Sequence, residues 1–499
     1  MSVITKKWII LCLVSSALFL IVIDMTVLYT ALPVLTHDLQ ATATQKLWIV
    51  NAYALVVAGL LPGLGTLGDH VGYKKMFLLG LTIFGGASLL AAYSTTPNML
   101  ILARVFLAMG AASMMPPTLS IIKLTFTDYK ERGLALGIWS AITAAGAGMG
   151  PVIGGLLLEK FSWPSVFIIN IPVVVIVLIL SQILIPSYPT NKNGKWDFVS
   201  SLQIMLGLIS IVFAIKELTK PENNITIVLL SFIIGLITMI LFVKRQNKLK
   251  HPLINLIIFK NFNFTGGTIV AVVTAFVLMG FEFILSQRLQ LVLGLTPLKA
   301  GLAIMAMAMA SLVGAILVGI ILTKYRILKL QWIMLSLAFF GILMFYWVLN
   351  ANLTIQVMIL IVLGFGLGGA MTLASNAIMS NVDDGNAGMA ASIEEVSFEF
   401  GGSLGIAVLG GLFSAFYSLF FDFSNTSIDT SKAQGSLDET IIQAEKQPSH
   451  INEQLINAGK IAFDDAFSLI IIISILSLAC TIILLMLLDF KQKKLSNIN

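Results

Sequence analysis

Apolar residues do not alternate along this chain. They run nearly unbroken for about eighteen positions or more at a time, then give way to short polar punctuation. Runs of that length suit helices crossing roughly 30 Å of hydrocarbon, whereas strands of a membrane barrel would alternate over segments of about ten. Reading each run with its flanking turns predicts fourteen spans, near 8–30, 47–67, 76–94, 99–121, 134–157, 164–186, 198–218, 225–243, 265–286, 297–322, 328–349, 354–378, 389–420 and 465–488. The predicted class is an all-α polytopic membrane protein. A single long polar excursion remains, 421–464, within which "LDETIIQAEKQ" and "INEQLINAGKIAF" have partial helical patterning. A short interfacial helix and a structureless loop are both open there, and the sequon at Asn425 is too short a pattern to carry weight.

Composition agrees with the pattern: 58% of the 499 residues are hydrophobic and 11% charged, with a mean hydropathy of +0.97. A soluble domain would have about a quarter of its residues charged. The net charge of +6 does not point to nucleic acid, because the charges sit in short loops and form no basic patch interleaved with aromatics. Their placement instead orients the chain. Twenty of the thirty Lys and Arg fall in loops on the amino-terminal side and nine on the other, with Arg104 inside a span. This bias places both termini in the cytoplasm and 421–464 outside. The loop near 379–388 departs from it, carrying Asp383 and Asp384 and no base. Cys12 and Cys480 both fall inside spans and read as buried small hydrophobes, not as a disulfide. Lys6 and Lys7 precede an apolar run with no small-residue cleavage site, which reads as a retained first span.

Two glycine-rich stretches stand out. In "GTLGDHVGYKK", Gly65, Gly68 and Gly72 allow a tight turn, and Asp69 is placed to cap the next helix. No strand precedes the stretch and no GK[ST] follows, so a phosphate loop is the poorer reading. In "GIWSAITAAGAGMGPVIGG", Gly146, Gly150 and Gly154 recur every four residues and share one helix face, and Pro151 adds a kink. Static helix packing and a hinge at a gate are both open readings.

In order along the chain, these motifs resemble a known family. Gly137, Gly146, Gly150, Pro151, Gly154 and Gly155 resemble the span-five antiporter motif of the major facilitator superfamily. "GTLGDHVGYKK" resembles that superfamily's loop signature between spans two and three, with His70 and Tyr73 where arginines are usual. "IDMTVLYTALP" resembles the first-span signature of its fourteen-helix drug:proton antiporters. "WIVNAYAL", "ERGLALGIW", "WPSVFIINIP" and "LQLVLGLTPLKAGL" are also similar to that branch, nearest its QacA-type multidrug exporters. The resemblance implies two six-helix bundles, residues 1–190 and 251–499, with two additional helices in 191–250 and a long outer loop at 421–464. It further implies a midplane substrate site reached from alternate sides.

Charged residues inside the spans are then candidates for that site, since an intramembrane charge is costly and usually faces a bundle interior. Asp24 lies in the outer half of the first span and is read as cavity-facing, with a snorkelling interfacial acid as the alternative. Arg104 is the only base well within a span. The resemblance links it to proton coupling, although Leu107 and Ala108 replace the usual Gln-Gly pair, and a structural pairing with an acid or a carbonyl stays open. Glu395 and Glu399 share a face of span thirteen, an arrangement that lets a pair of acids take up and release a proton. Glu394 points about 100° away, either into the site or as a solvated helix-start acid. Glu282, near the end of span nine, reads as a cavity or a rim residue, poorly spaced to pair with Arg288. Tyr29, Tyr53, Phe281, Phe283 and Phe398 are candidate pocket-lining residues, with ordinary packing as the alternative.

These residues suit a proton-coupled antiporter that exports hydrophobic, chiefly cationic, drugs, antiseptics or dyes. Export of an endogenous lipid, fatty acid or metabolite is a second reading, and a non-transporting receptor or scaffold of transporter fold a third. The expected partners are a lipophilic small molecule, protons as the coupling ion and the bilayer, with no cofactor and a monomeric unit. No HExxH, GxSxG, metal-ligand cluster or nucleotide loop supports an enzyme or an ATP-driven pump, and His37, His70, His251 and His450 all fall in predicted loops.

Overall fold

The computed structural model describes residues 3–187, 197–218, 224–249, 252–254, 256–321, 325–381, 387–423 and 433–496. Asp383, Asp384, the Asn425 sequon, His251 and the loop lysines 192, 195, 220, 250, 324 and 432 lie outside the described residues. The helices are α1 (Val3–Asp38), α2 (Ala43–Val71), α3 (Tyr73–Ala92), α4 (Pro97–Thr125), α5 (Tyr129–Lys160), the single turn α6 (Ser165–Ile168), α7 (Asn170–Leu184), α8 (Phe198–Leu218), α9 (Ile225–Gln246), α10 (Phe262–Gln287), α11 (Pro297–Ile321), α12 (Ile327–Trp347), α13 (Leu353–Met379), α14 (Ala387–Phe420), α15 (Leu437–Ala444) and α16 (Ser449–Ser496). Among the described residues there is no strand. Among the described residues thirteen spans are long and apolar enough to cross a membrane, and α5 stands where the fifth of the expected spans falls.

Local chemistry sets the helix ends. Thr42 and Gln45 close a reciprocal capping box at the start of α2. Thr96 caps α4, with Pro97 just inside it. Gly72, at φ 101°, is the one residue that breaks α2 from α3. The turn expected at Gly65 and Gly68 is therefore continuous helix, Asp69 stays within α2, and Gly72 rather than Asp69 occupies the cap position of α3.

Several expectations are corrected. α1 extends past its apolar run at both ends, α16 begins at Ser449, and α15 forms, so much of the 421–464 excursion is helical. Apolarity marks where hydrocarbon ends, not where backbone hydrogen bonding ends, so polar turns continue the helices beyond it. His37, His70 and His450 accordingly lie in helix ends. Cys12 and Cys480 are exposed on the outer surface of the bundles, where a thiol meets lipid as readily as core.

Helices α1–α7 pack among themselves, as do α10–α14 with α16. Small residues let backbones touch inside each group. A Cβ on Gly110 would strike the backbone of Phe84, and one on Gly280 the backbone of Gly405. The hairpin of α8 and α9 lies outside both groups, with α8 against α2 and α14 together. Leu55, Val212 and Ala407 form one cluster there, and Ala58, Ile204, Leu208 and Phe242 another. α9 turns most of its apolar surface outward, as a helix facing acyl chains does.

Candidate functional site

In the first bundle the site is a buried ion pair. Asp24 of α1 is fully buried, and its Oδ2 accepts from Arg104 Nη1 of α4 at 2.5 Å. Arg104 Nε donates to the Ile49 carbonyl at 3.2 Å, and its guanidinium lies 4.3 Å over the Tyr53 ring. Asn170, at the start of α7, donates to Asp24 Oδ1 at 3.3 Å and to Ser88 Oγ at 3.2 Å. Asp24 is thus enclosed by partners, neither snorkelling nor open to a cavity. Arg104 takes an acid and a carbonyl together, as a buried guanidinium must to offset its desolvation.

In the second bundle the acids are less well partnered. Glu282 of α10 is 9% exposed and Glu399 of α14 is 6% exposed. Glu399 Oε2 is buried with no hydrogen-bond partner among the described residues. Both acids lie close enough to Tyr29 of α1 to act on its hydroxyl electrostatically, and Glu399 acts likewise on Tyr53. Ser286, one turn along α10 from Glu282, bonds the Tyr29 carbonyl, so these acids of one bundle lie within electrostatic reach of tyrosines of the other. Glu395 is half-buried beside Glu399, and Glu394 takes a hydrogen bond from Ser375 of α13, which removes it from the solvated helix-start reading. Among the described residues the Tyr53 hydroxyl, both polar side-chain atoms of Asn51, and the hydroxyls of Thr30 and Ser403 are likewise buried without a hydrogen-bond partner.

The aromatic candidates separate. Phe281 stacks on Phe467 at 5.6 Å and meets Phe345 edge-on at 5.4 Å, so it belongs to the core of the second bundle. Phe283 packs over Gly410 next to Leu47, at the contact between bundles. Phe398 is half-buried on α14. Tyr29 and Tyr53 are the two that the acids reach electrostatically from the opposite bundle.

The bundles are sealed at the end remote from the two termini. Ser286 Oγ donates to the Tyr29 carbonyl at 2.7 Å, and Gln290 Nε2 to that of Thr30 at 3.2 Å. The span-five glycines use two faces. Gly146, Gly150 and Gly154 receive Val22, Thr26 and Val27 of α1, whereas Gly155 meets Leu298 of α11, and Gly301 of α11 meets the Pro151 carbonyl. One face is packing inside a bundle and the other is the seam between bundles. Gly137 lies within α5, about two turns after its start at Tyr129.

Sequence reasoning missed three charged residues here. Arg288, assigned to an outer loop, is 1% exposed and bonded to Asp464 at 2.7 Å, Gln356 at 3.1 Å and the Leu349 carbonyl at 2.9 Å. It opens a π-turn, Arg288–Val292, that continues α10. Lys46 and Asp438 are also buried and paired. A base within the first turn of an otherwise apolar helix was the available signal for Lys46; its acid lies 392 residues away.

Two helical bundles meeting over buried acids and closed at one end define a polytopic membrane transporter. The chain belongs to the Major Facilitator Superfamily, whose family model matches residues 14–406. It is 34% identical over 472 residues to the multidrug efflux pump LfrA of Mycolicibacterium smegmatis, covering 93% of this chain and 92% of that one. It is 32% identical to the methyl viologen resistance protein SmvA of Salmonella typhimurium, covering 92% and 93%. It is 30% identical to the riboflavin transporter RibZ of Clostridioides difficile, covering 84% and 90%. Among solved structures, a bacterial homolog of the human lysosomal transporter Spinster, inward-facing and unoccupied, superimposes with a TM-score of 0.67 at 16% identity over 96% of each chain.

Proposed function

We propose that this chain is a proton-coupled exporter of hydrophobic cations such as drugs, antiseptics or dyes, working as a monomer by alternating access. The observation that carries the reading is the pair Glu282 and Glu399, buried on one bundle, both within electrostatic reach of Tyr29 of the other and Glu399 also of Tyr53, with one Glu399 oxygen unpartnered among the described residues. A lipophilic cation entering such a site loses hydration, and carboxylate attraction with aromatic faces offsets part of that loss. A proton arriving at the same carboxylate removes the attraction, so one group cannot hold both and the two ions exchange. Asp24 and Arg104 supply a second charged element that responds to the same cycle. With both termini cytoplasmic, as the lysine and arginine bias expects, the sealed end faces outward and the site opens to the cytoplasm. The relatives named for multidrug efflux and for methyl viologen resistance, methyl viologen being an organic dication, support drugs and organic cations as the substrate class.

Everted vesicles with an imposed pH gradient test this, following efflux of a fluorescent lipophilic cation in the parent, Glu399→Gln and Asp24→Asn. Gradient-dependent transport in the parent, lost in both well-folded variants, is the expected result. A parent that moves no cation under any gradient overturns the reading. The riboflavin transporter among the relatives supports a second reading, in which the cargo is an endogenous metabolite. It predicts that riboflavin is moved by the parent in the same vesicles and that Glu399→Gln leaves this intact.

A further inference from the structure

The sealed end is held by a buried ion pair whose halves belong to different bundles. Lys46, in the first turn of α2, is 5% exposed, and Asp438, in the first turn of α15, is 3% exposed. Lys46 Nζ pairs with Asp438 Oδ2 and donates to Gln287 Oε1 of α10 at 3.1 Å. Thr36 Oγ1 of α1 donates to the same Asp438 oxygen at 3.1 Å.

Local physics disfavours a lysine at this place. A cation in the first turn of a helix meets the positive end of its dipole, and burial strips its hydration. α2 already has its cap in Thr42 and Gln45, so Lys46 does nothing for its own helix. Its compensation comes from across the seam. α15 is built to present the acid: Ser436 caps it, Thr440 shares a 2.6 Å hydrogen bond with the Tyr417 hydroxyl of α14, and Leu437 packs on Gly459 of α16. α15 therefore travels with the second bundle, and Lys46 and Thr36 with the first.

We propose that α15 is a latch, and that the Lys46–Asp438 pair, with Thr36 and Gln287, sets how often the sealed end opens. In the dry seam each charge needs the other; once the bundles part, each is hydrated and needs nothing. A pair of this kind has two stable arrangements, which is what a gate requires. The inference rests on the alternating-access reading but not on any particular substrate.

The test labels a cysteine placed in the seam. Cys12 and Cys480 are replaced by serine, and Leu47→Cys, buried beside Lys46, reports opening to a membrane-impermeant maleimide applied to either face of sealed vesicles. The rate tests the latch and the labelled face tests the orientation, so the two fail separately. Lys46→Met and the milder Asp438→Asn, which keeps an acceptor for Thr36, are expected to raise the rate about tenfold or more, because each leaves a buried group unpaired only while the seam is shut. The exchange Lys46→Asp with Asp438→Lys is expected to bring it back towards the parent. Rates within about twofold of the parent in both single variants, or a swap that labels as fast as they do, would overturn the latch and leave the pair a staple of the α15 fold.

Discussion

Asn in place of Asp24 keeps the side-chain shape and removes its charge, leaving Arg104 with the Ile49 carbonyl and the Tyr53 ring in a site where it is 1% exposed. With the two charge centres roughly 4 Å apart, the lost attraction is about 4 kcal/mol at an effective dielectric of about 20. Removing one partner of a buried pair costs about 3–5 kcal/mol in measured cases. The asparagine oxygen still accepts from Arg104, which returns about 1.5 kcal/mol or more. We therefore expect a net loss of about 2 kcal/mol, roughly thirtyfold in the folded-to-unfolded ratio. Denaturation in detergent of the parent, Asp24→Asn and the double variant Asp24→Leu with Arg104→Met measures it. The double variant leaves no orphaned charge, so its stability should return to within about 1 kcal/mol of the parent, while proton-driven exchange stays lost. An Asp24→Asn protein as stable as the parent would refute the buried pair as a stabilising contact. Exchange restored in the double variant would remove the pair from the mechanism.

Glu399→Gln should behave in the opposite way: with no partner to lose at Oε2, it is expected to be as stable as the parent or more stable by up to about 1 kcal/mol, with cation exchange down at least tenfold; lower stability with intact exchange would make Glu399 structural. Gly155→Ala brings a Cβ to 2.5 Å from Leu298 Cα across the seam and should speed labelling at Leu47→Cys, whereas Gly150→Ala presses on Thr26 within one bundle and should lower the denaturation temperature without that change. Asp197 concerns the α8–α9 hairpin and pH. Burial pushes its carboxyl up, but hydrogen bonds from Arg245 and Ser200 outweigh this and hold it below the usual aspartate range. A group lowered in the folded state stabilises above its unfolded value, so Asp197→Asn should destabilise by at most about 1 kcal/mol near neutrality. The difference should begin to shrink as pH falls through about 4 and vanish only below the lowered folded value, as denaturation at graded pH would show.

The course of the spans was readable because hydrocarbon thickness imposes a run length that no tertiary contact can override. The same pattern said nothing of where helices end: α16 begins at Ser449, and α15 forms inside a stretch that read equally well as loop. Asp24, Arg104, Glu282 and Glu399 stood out because a charge among apolar neighbours is visible one residue at a time. Which charge meets which was not visible. Asp24 and Arg104 are 80 residues apart and Arg288 and Asp464 are 176 apart, distances over which only the packed bundle decides. The aromatic candidates show the same limit, since Phe281 and Phe283 are two residues apart and one enters a core while the other reaches the seam.

The position of α8 gives the molecule a spine. The bundles meet along two seams, and on one of them α8 binds to both covers at once, through Leu55 and Ala58 on α2 and Ala407 on α14. On the other, α5 and α11 touch directly at Gly155 and Gly301, with no third helix among the described residues laid across them as α8 is. A book bound along one edge opens along the other. Rocking in the proposed alternating-access cycle is accordingly expected to be lopsided, parting α5 from α11 more widely than α2 from α14 where α8 clasps them.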